Sequence, residues 1–131
     1  METITVKSSS REELIDITSQ VEKIIRDSKT QNGTCLIYTP HTTAAITINE
    51  NADPDVPRDI IKGLASLKLE QVRFEHSEGN SPAHIKSSLV GCSETIIIDK
   101  GSPVLGTWQG IFFCEFDGPR NRKVYVKISG K

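Results

Sequence analysis

A chain of 131 residues, 36% of them hydrophobic and only 5% aromatic, holds one domain with its own core and leaves little length for a second. Its 16 Lys and Arg against 17 Asp and Glu leave a formal charge of -1, which argues against a broad nucleic-acid-binding surface but permits a local basic pocket. No apolar run approaches the ~20 residues of a membrane helix, so no membrane partner is expected.

Thr3-Ile4-Thr5-Val6-Lys7 alternates and is rich in β-branched residues, which predicts a strand. Leu14, Ile15 and Ile17 predict a second, short one. Ser19 and Glu22 have the spacing of a capping box, and Val21, Ile24 and Ile25 follow at helical intervals. That helix is expected to end near Ser28, with a turn at Asn32-Gly33. Thr34 to Thr39 reads as a buried strand, Cys35 and Ile37 on one side and Leu36 and Tyr38 on the other, stopped by Pro40. Thr43 to Asn49 alternates again, with Ala44, Ile46 and Ile48 opposite Ala45, Thr47 and Asn49.

Asp55 is placed to cap a helix that has Pro57 in its first turn and an apolar stripe of Val56, Ile60, Ile61, Leu64 and Leu67. Residues 70–82 carry no regular pattern. Ala83 to Val90 reads as a short helix closed by Gly91. Thr95 to Ile98, Val104-Leu105, Gly110 to Phe116 and Val124 to Ile128 read as strands. About eight strands with two or three inserted helices favour α+β over alternating α/β.

The segment Met1 to Lys7 has no basic stretch leading into an apolar one, so no secretory leader is expected. Cys35, Cys92 and Cys114 are odd in number and form no C-x-x-C. They argue against a disulfide framework or zinc ribbon and fit a cytoplasmic protein in which each is a small core residue.

Three clusters carry possible chemistry. His41, His76 and His84 lie in polar stretches, and imidazole is a common metal ligand, though the spacing of His76 and His84 is not that of a helical zinc pair. Glu115-Phe116-Asp117-Gly118-Pro119-Arg120-Asn121-Arg122 brings two carboxylates to a strand end and follows them with two arginines. It is either a phosphate fork with an orienting carboxylate or a charged turn with surface ion pairs. Asn49 to Asp55 holds three carboxylates but lacks the EF-hand pattern, and helix capping explains them more simply. Gly101, Gly106 and Gly110 around Trp108-Gln109 match no nucleotide-binding loop. Trp108 is either a core plug or the apolar wall of a pocket for a flat ring.

Together these stretches resemble the YjbQ-like family, also labelled secondary thiamine-phosphate synthase. His41 to Val56 resembles its first signature and His76 to Lys86 its second. Leu105 to Ile111, running on to Phe116 to Arg122, resembles its third. The resemblance spans nearly the whole chain. It implies one compact α+β domain over residues 1–131, a largely antiparallel β-sandwich with two to three helices, assembled as a homotrimer. It also implies a weak thiamine-phosphate synthase activity, in which a pyrimidine methyl diphosphate is joined to a thiazole phosphate and pyrophosphate leaves.

Carried over by motif, the expected site is His41, His76, Glu78, Asn80, His84, Trp108, Gln109, Asp117, Arg120 and Arg122. From side-chain chemistry we assign His41, Glu78 and Asp117 to catalysis. Asn80, Trp108, Gln109, Arg120 and Arg122 are assigned to substrate binding. His41, His76 and His84 are assigned to a divalent ion, zinc or magnesium. The rival expectation is a trimeric metal- or phosphometabolite-binding protein with only incidental synthase activity. Either way the partner is a small phosphorylated metabolite.

Overall fold

The computed structural model describes residues 1–131. In chain order it contains β1 (Glu2–Lys7), β2 (Glu13–Asp16), α1 (Thr18–Ser28), β3 (Asn32–Tyr38), β4 (Ala44–Glu50) and α2 (Asp55–Ala65). A 3-10 turn (Leu69–Gln71) follows, then α3 (Ser81–Val90), β5 (Ser93–Asp99), β6 (Ser102–Pro103), β7 (Gln109–Glu115) and β8 (Asn121–Gly130). The class is α+β, with every strand pair antiparallel. The five-stranded sheet has the order β1-β8-β3-β5-β6, and the three-stranded sheet the order β2-β7-β4.

Two-residue alternation decides what is buried. Ile4 and Val6 of β1, Cys35 and Ile37 of β3, Ile96 and Ile98 of β5, and Val124 and Val126 of β8 face inward from the large sheet. They meet Ala44 and Ile46 of β4 and Ile111 and Phe113 of β7 in one apolar cluster, closed by Ile17, Val21 and Ile25 at α1. The small sheet is covered on its other face too. There Ala45, Cys114 and Phe116 pack with Ala83 of α3, and Ile61 and Leu64 of α2 lie against them. A central strand covered on both faces needs a continuous apolar run. This is why β7 reads Ile-Phe-Phe-Cys and is buried from Gly110 to Glu115.

Local signals were outcompeted at several points. The Ser19–Glu22 capping box does not form, because α1 starts upstream with Ile17 as its N-cap and Ser19 already lies inside the helix. Asp16 Oδ1 accepts the Thr18 N–H at 2.9 Å and its hydroxyl at 2.6 Å, and α1 starts at Thr18. Asp55 does not cap α2. Asp53 Oδ1 accepts the Asp55 N–H at 2.9 Å, and Glu50 accepts that of Asp53 at 3.3 Å, so backbone donors engage Glu50 and Asp53 of this acidic loop.

Asn32-Gly33 is no turn; both residues lie in β3, and the reversal is made at Lys29, whose φ is 58°. Gly33 is required by close approach, since a Cβ there would sit 2.0 Å from the Ser129 carbonyl oxygen of β8. Val104-Leu105 is not a strand. The pairing stops at Pro103, and Leu105 packs half-buried against the main core. Cys35 and Cys114 are buried as expected, but Cys92 is exposed.

One buried cation secures the helical layer. Lys86 of α3 is 1% exposed, with its Nζ 2.7 Å from Glu12 Oε2 and 3.4 Å from Glu70 Oε1. It therefore ties α3 to the β1–β2 loop and to the 3-10 turn. No helix is long and apolar enough to cross a membrane.

Candidate functional site

The antiparallel pairings bring the end of β3, the start of β4, the end of β7 and the start of β8 to one end of the two sheets. The segment entering α3 lies over the same end. Between them is a cavity of about 400 Å³ lined by His41, Thr42, Thr43, His76, Glu78, Asn80, His84, Asp117, Arg120 and Arg122, with Pro40 at its side. Eight of the ten expected residues thus share one cavity. An open groove of about 610 Å³ adjoins it through His41 and His84 and runs past Tyr38, Ser87, Ser88 and Cys92.

Trp108 and Gln109 are not among the residues lining this cavity. Trp108 precedes β7, Gln109 begins it and Asp117 follows its end, so seven residues of extended chain, roughly 20 Å, separate the two ends of the third motif. The Trp108 indole is 62% exposed, which also excludes the core-plug reading. The Trp108 carbonyl accepts the Asn51 N–H at 3.0 Å, and Gln109 Oε1 accepts the Gly106 N–H at 2.8 Å, closing its own turn.

The two arginines differ. Arg122 is buried, and its Nε donates to Glu115 Oε1 at 2.9 Å while its Nη2 donates to Glu115 Oε2 and, at 2.9 Å, to Thr43 Oγ1. The expected fork for phosphate is therefore occupied by a carboxylate. Nη1 makes no hydrogen bond and is not sealed from solvent, so it is the nitrogen Arg122 presents to the cavity. Arg120 is half exposed. Its Nε donates to the Asp117 carbonyl and its Nη2 to Asp117 Oδ2, both at 2.8 Å, again leaving Nη1.

Glu115 is fully buried and accepts four donor groups from three residues. Besides Arg122, these are the Ser8 hydroxyl at 2.6 Å and the Asp117 N–H at 3.1 Å. Burial pushes its carboxyl up, but the bonds from Arg122, Ser8 and the Asp117 backbone outweigh that and hold it below its ordinary 4.5. The sequence reading saw Glu115 only as a carboxylate at a strand end and missed Ser8. The available signal was a lone charge inside the apolar run Ile111 to Phe116.

His41 Nε2 accepts the Lys123 N–H at 2.9 Å, so the proton of the neutral ring sits on Nδ1. Burial pushes its pKa below 6.5, and Arg122, Arg120 and Lys123 add to the shift against the opposing pull of Glu115. A metal on Nδ1 would move the proton to Nε2, where it would face another donor. The expected three-histidine ion site is therefore not assembled. The His76 and His84 rings stand edge to face with centroids 5.4 Å apart, and His76 Nε2 is 3.9 Å from Glu78 Oε2. No three His, Cys, Asp or Glu side chains converge as an ion site.

Two consequences follow for stability. Removing Arg122 leaves Glu115 as an unpaired buried charge, so Arg122→Ala is expected to lose about 3–5 kcal/mol. Arg120→Ala breaks only a half-exposed pair and should lose less than about 1 kcal/mol. Urea unfolding at neutral pH measures both, and similar losses would contradict the assignment. His41 and Glu115 both have depressed folded-state pKa values, so each contributes stability above its unfolded pKa that is lost as pH falls through the folded one. Melting temperature should start to fall as pH drops below about 6.5, the unfolded histidine value, and His41→Gln should flatten that first decline. An unchanged profile in His41→Gln would place the proton linkage elsewhere.

The model for the family described as UPF0047 protein YjbQ-like matches residues 2–131. A UPF0047 protein of Methanocaldococcus jannaschii is 62% identical over 125 residues, covering 95% of this chain and 91% of that one. The UPF0047 protein YugU of Bacillus subtilis is 50% identical over 131 residues, covering 99% of each. The crystal structure of a YjbQ/UPF0047 family protein from Clostridium acetobutylicum superposes with a TM-score of 0.96 at 52% identity, covering 98% of this chain and 100% of the other. A YbjQ-like protein from Sulfolobus solfataricus gives a TM-score of 0.95 at 36% identity, with 99% and 96% covered. With its fold, its motifs and these relatives in agreement, the chain belongs to the UPF0047/YjbQ-like family.

Proposed function

We propose that the cavity receives the phosphoryl or diphosphoryl group of a small metabolite. The observation that carries this reading is the set of leftover donors. Arg120 Nη1, Arg122 Nη1 and the His41 ring N–H have no protein partner, while every other guanidinium nitrogen of the pair is held by a carboxylate, threonine or carbonyl. Donors fixed in this way are pre-organised for oxyanion charge.

The reaction class this supports is transfer with loss of diphosphate, as in the thiamine-phosphate synthase chemistry that the family resemblance implies. The arginine N–H groups would hold the leaving diphosphate, and neutral His41 would donate from Nδ1. The pyrimidine wall assigned to Trp108 has no counterpart in this cavity, which lacks apolar lining. The rival reading, phosphometabolite binding with incidental catalysis, uses the same donors. A kcat/KM far below the usual ~10⁴ M⁻¹s⁻¹ with the thiamine precursors favours that rival.

A divalent ion is a second reading, favoured by the proximity of His76, His84 and Glu78. We place zinc or magnesium on these three rather than on His41. As they stand, the three side chains do not converge on one point.

Assembly as a homotrimer is part of the proposal. Leu36 and Tyr38 of β3, Ile97 of β5 and Tyr125 of β8 share the face of the large sheet turned away from the core. Tyr38 and Tyr125 stack there with centroids 6.5 Å apart, and Leu36, Tyr38 and Ile97 are exposed. An uncovered apolar face of this kind is what a closed ring of subunits buries.

Calorimetric titration with pyrophosphate tests the donor set. Arg120→Ala should weaken binding roughly tenfold, the loss of one charge-assisted hydrogen bond. Unchanged affinity sinks the anion site. Repeating the titration with zinc or magnesium in wild type and His84→Ala tests the ion, which is excluded if the metal makes no difference to either. Light scattering at micromolar concentration should give about three chain masses, and a monomer would refute the trimer.

A further inference from the structure

Asn80 Oδ1 is the one buried side-chain polar atom of the protein without a hydrogen-bond partner. Its orientation is fixed. Asn80 Nδ2 donates to Asp117 Oδ2 at 2.9 Å, and flipping the carboxamide would set two oxygens against each other. Asp117 Oδ2 itself is held by Arg120 Nη2 at 2.8 Å, so it cannot swing to compensate.

The sequence explains why no local donor reaches Oδ1. Asn80 is the N-cap residue of α3, where an asparagine oxygen ordinarily accepts the N–H of the second or third helical residue. The second is Pro82, which has no N–H. The third, Ala83, gives its N–H to the Asn80 carbonyl at 3.0 Å. Capping is thereby vacated, and the amide turns to Asp117 with its oxygen left over. Unpaired buried acceptors are rare and costly, and Asn80 lines the same cavity as the residues that carry the leftover arginine and histidine donors, which points to a bound group that relieves it.

We infer that the metabolite bound here carries, besides its phosphoryl group, a neutral O–H or N–H that donates to Asn80 Oδ1. This rests on the anion reading above and narrows it: simple phosphate esters with only alkyl substituents are poor ligands, and hydroxyl- or amide-bearing ones are good. Oδ1 has no contact with bulk water, so solvent does not satisfy it.

The test uses the intact protein with EDTA present and calorimetry against pairs of isosteric phosphonates. Hydroxymethyl-, 2-hydroxyethyl- and 3-hydroxypropylphosphonate are each compared with the alkylphosphonate in which methyl replaces hydroxyl. Expected is an advantage of roughly tenfold for one hydroxyl member in wild type, abolished in Asn80→Ala while the alkyl partner still binds. Equal affinities within every pair overturn the inference and leave the anion site standing. An advantage that survives in Asn80→Ala, or that appears only when magnesium replaces EDTA, also overturns it, since the donor is then received elsewhere or Oδ1 serves a cation. If no phosphonate and no pyrophosphate binds wild type, the anion reading itself fails and takes the inference with it. Because the wild-type comparison needs no variant, a folding defect in Asn80→Ala cannot rescue the claim.

Discussion

The arrangement turns on the buried ion pair of Glu115 and Arg122. Glu115 ends β7 in the small sheet, and Arg122 lies in β8 of the large one, so the pair crosses from one sheet to the other. Two charges taken out of water cost more than their attraction returns unless their remaining hydrogen-bonding capacity is filled. Ser8 after β1, Thr43 before β4 and the Asp117 N–H fill it. Four chain segments must therefore meet at this point or leave a buried charge exposed to low dielectric. The neighbours inherit their places: Lys123 follows Arg122 and orients His41, while Ser8 accepts the Arg120 N–H at 2.8 Å.

This geometry changes what the arginines can do. Each is neutralised by a carboxylate within the protein, so the cavity offers polarised N–H groups more than free positive charge. Recognition by such donors depends on direction and distance, falls off quickly with misalignment, and is screened by salt less than attraction to an exposed basic patch. A chain with a net charge of -1 can hold an anion this way without a basic surface. The same pairing makes the floor of the cavity stiff, whereas His76 and Glu78 on the opposite wall are largely exposed and contribute no hydrogen bond. In the function proposed above, the fixed floor would take the phosphoryl group and the looser wall the remainder of the ligand.

Much of this was legible in the sequence. Alternation placed most of the strands, and the three polar motifs named eight of the residues that line the cavity. Local rules failed where a competitor lay just outside their window. Ser19 does not cap α1 because the helix already begins at Thr18, whose N–H and hydroxyl are held by Asp16 just upstream. Trp108 and Asp117 looked like one site because a motif is contiguous in sequence, but an extended strand carries its two ends far apart. The distinction between Arg120 and Arg122 was also written in the chain, in a place that motif reading does not inspect.

That place is the strand register. Along β8 the inward positions are Val124 and Val126, and one step back is Arg122. Along β7 they are Ile111 and Phe113, and one step on is Glu115; along β1, Ile4 and Val6 lead to Ser8. The period that places the core thus runs past its apolar end by one residue in three strands, and all three next residues are polar and buried. A charge in an inward register cannot be solvated by leaning outward, as a residue in a turn can, so it must find its counter-charge among the other inward residues at the same level. Arg120, in the turn, is under no such constraint and stays half exposed. The polar end of the core and the floor of the cavity are consequently the same layer of side chains. A substitution there cannot alter ligand recognition without also altering how the two sheets are joined.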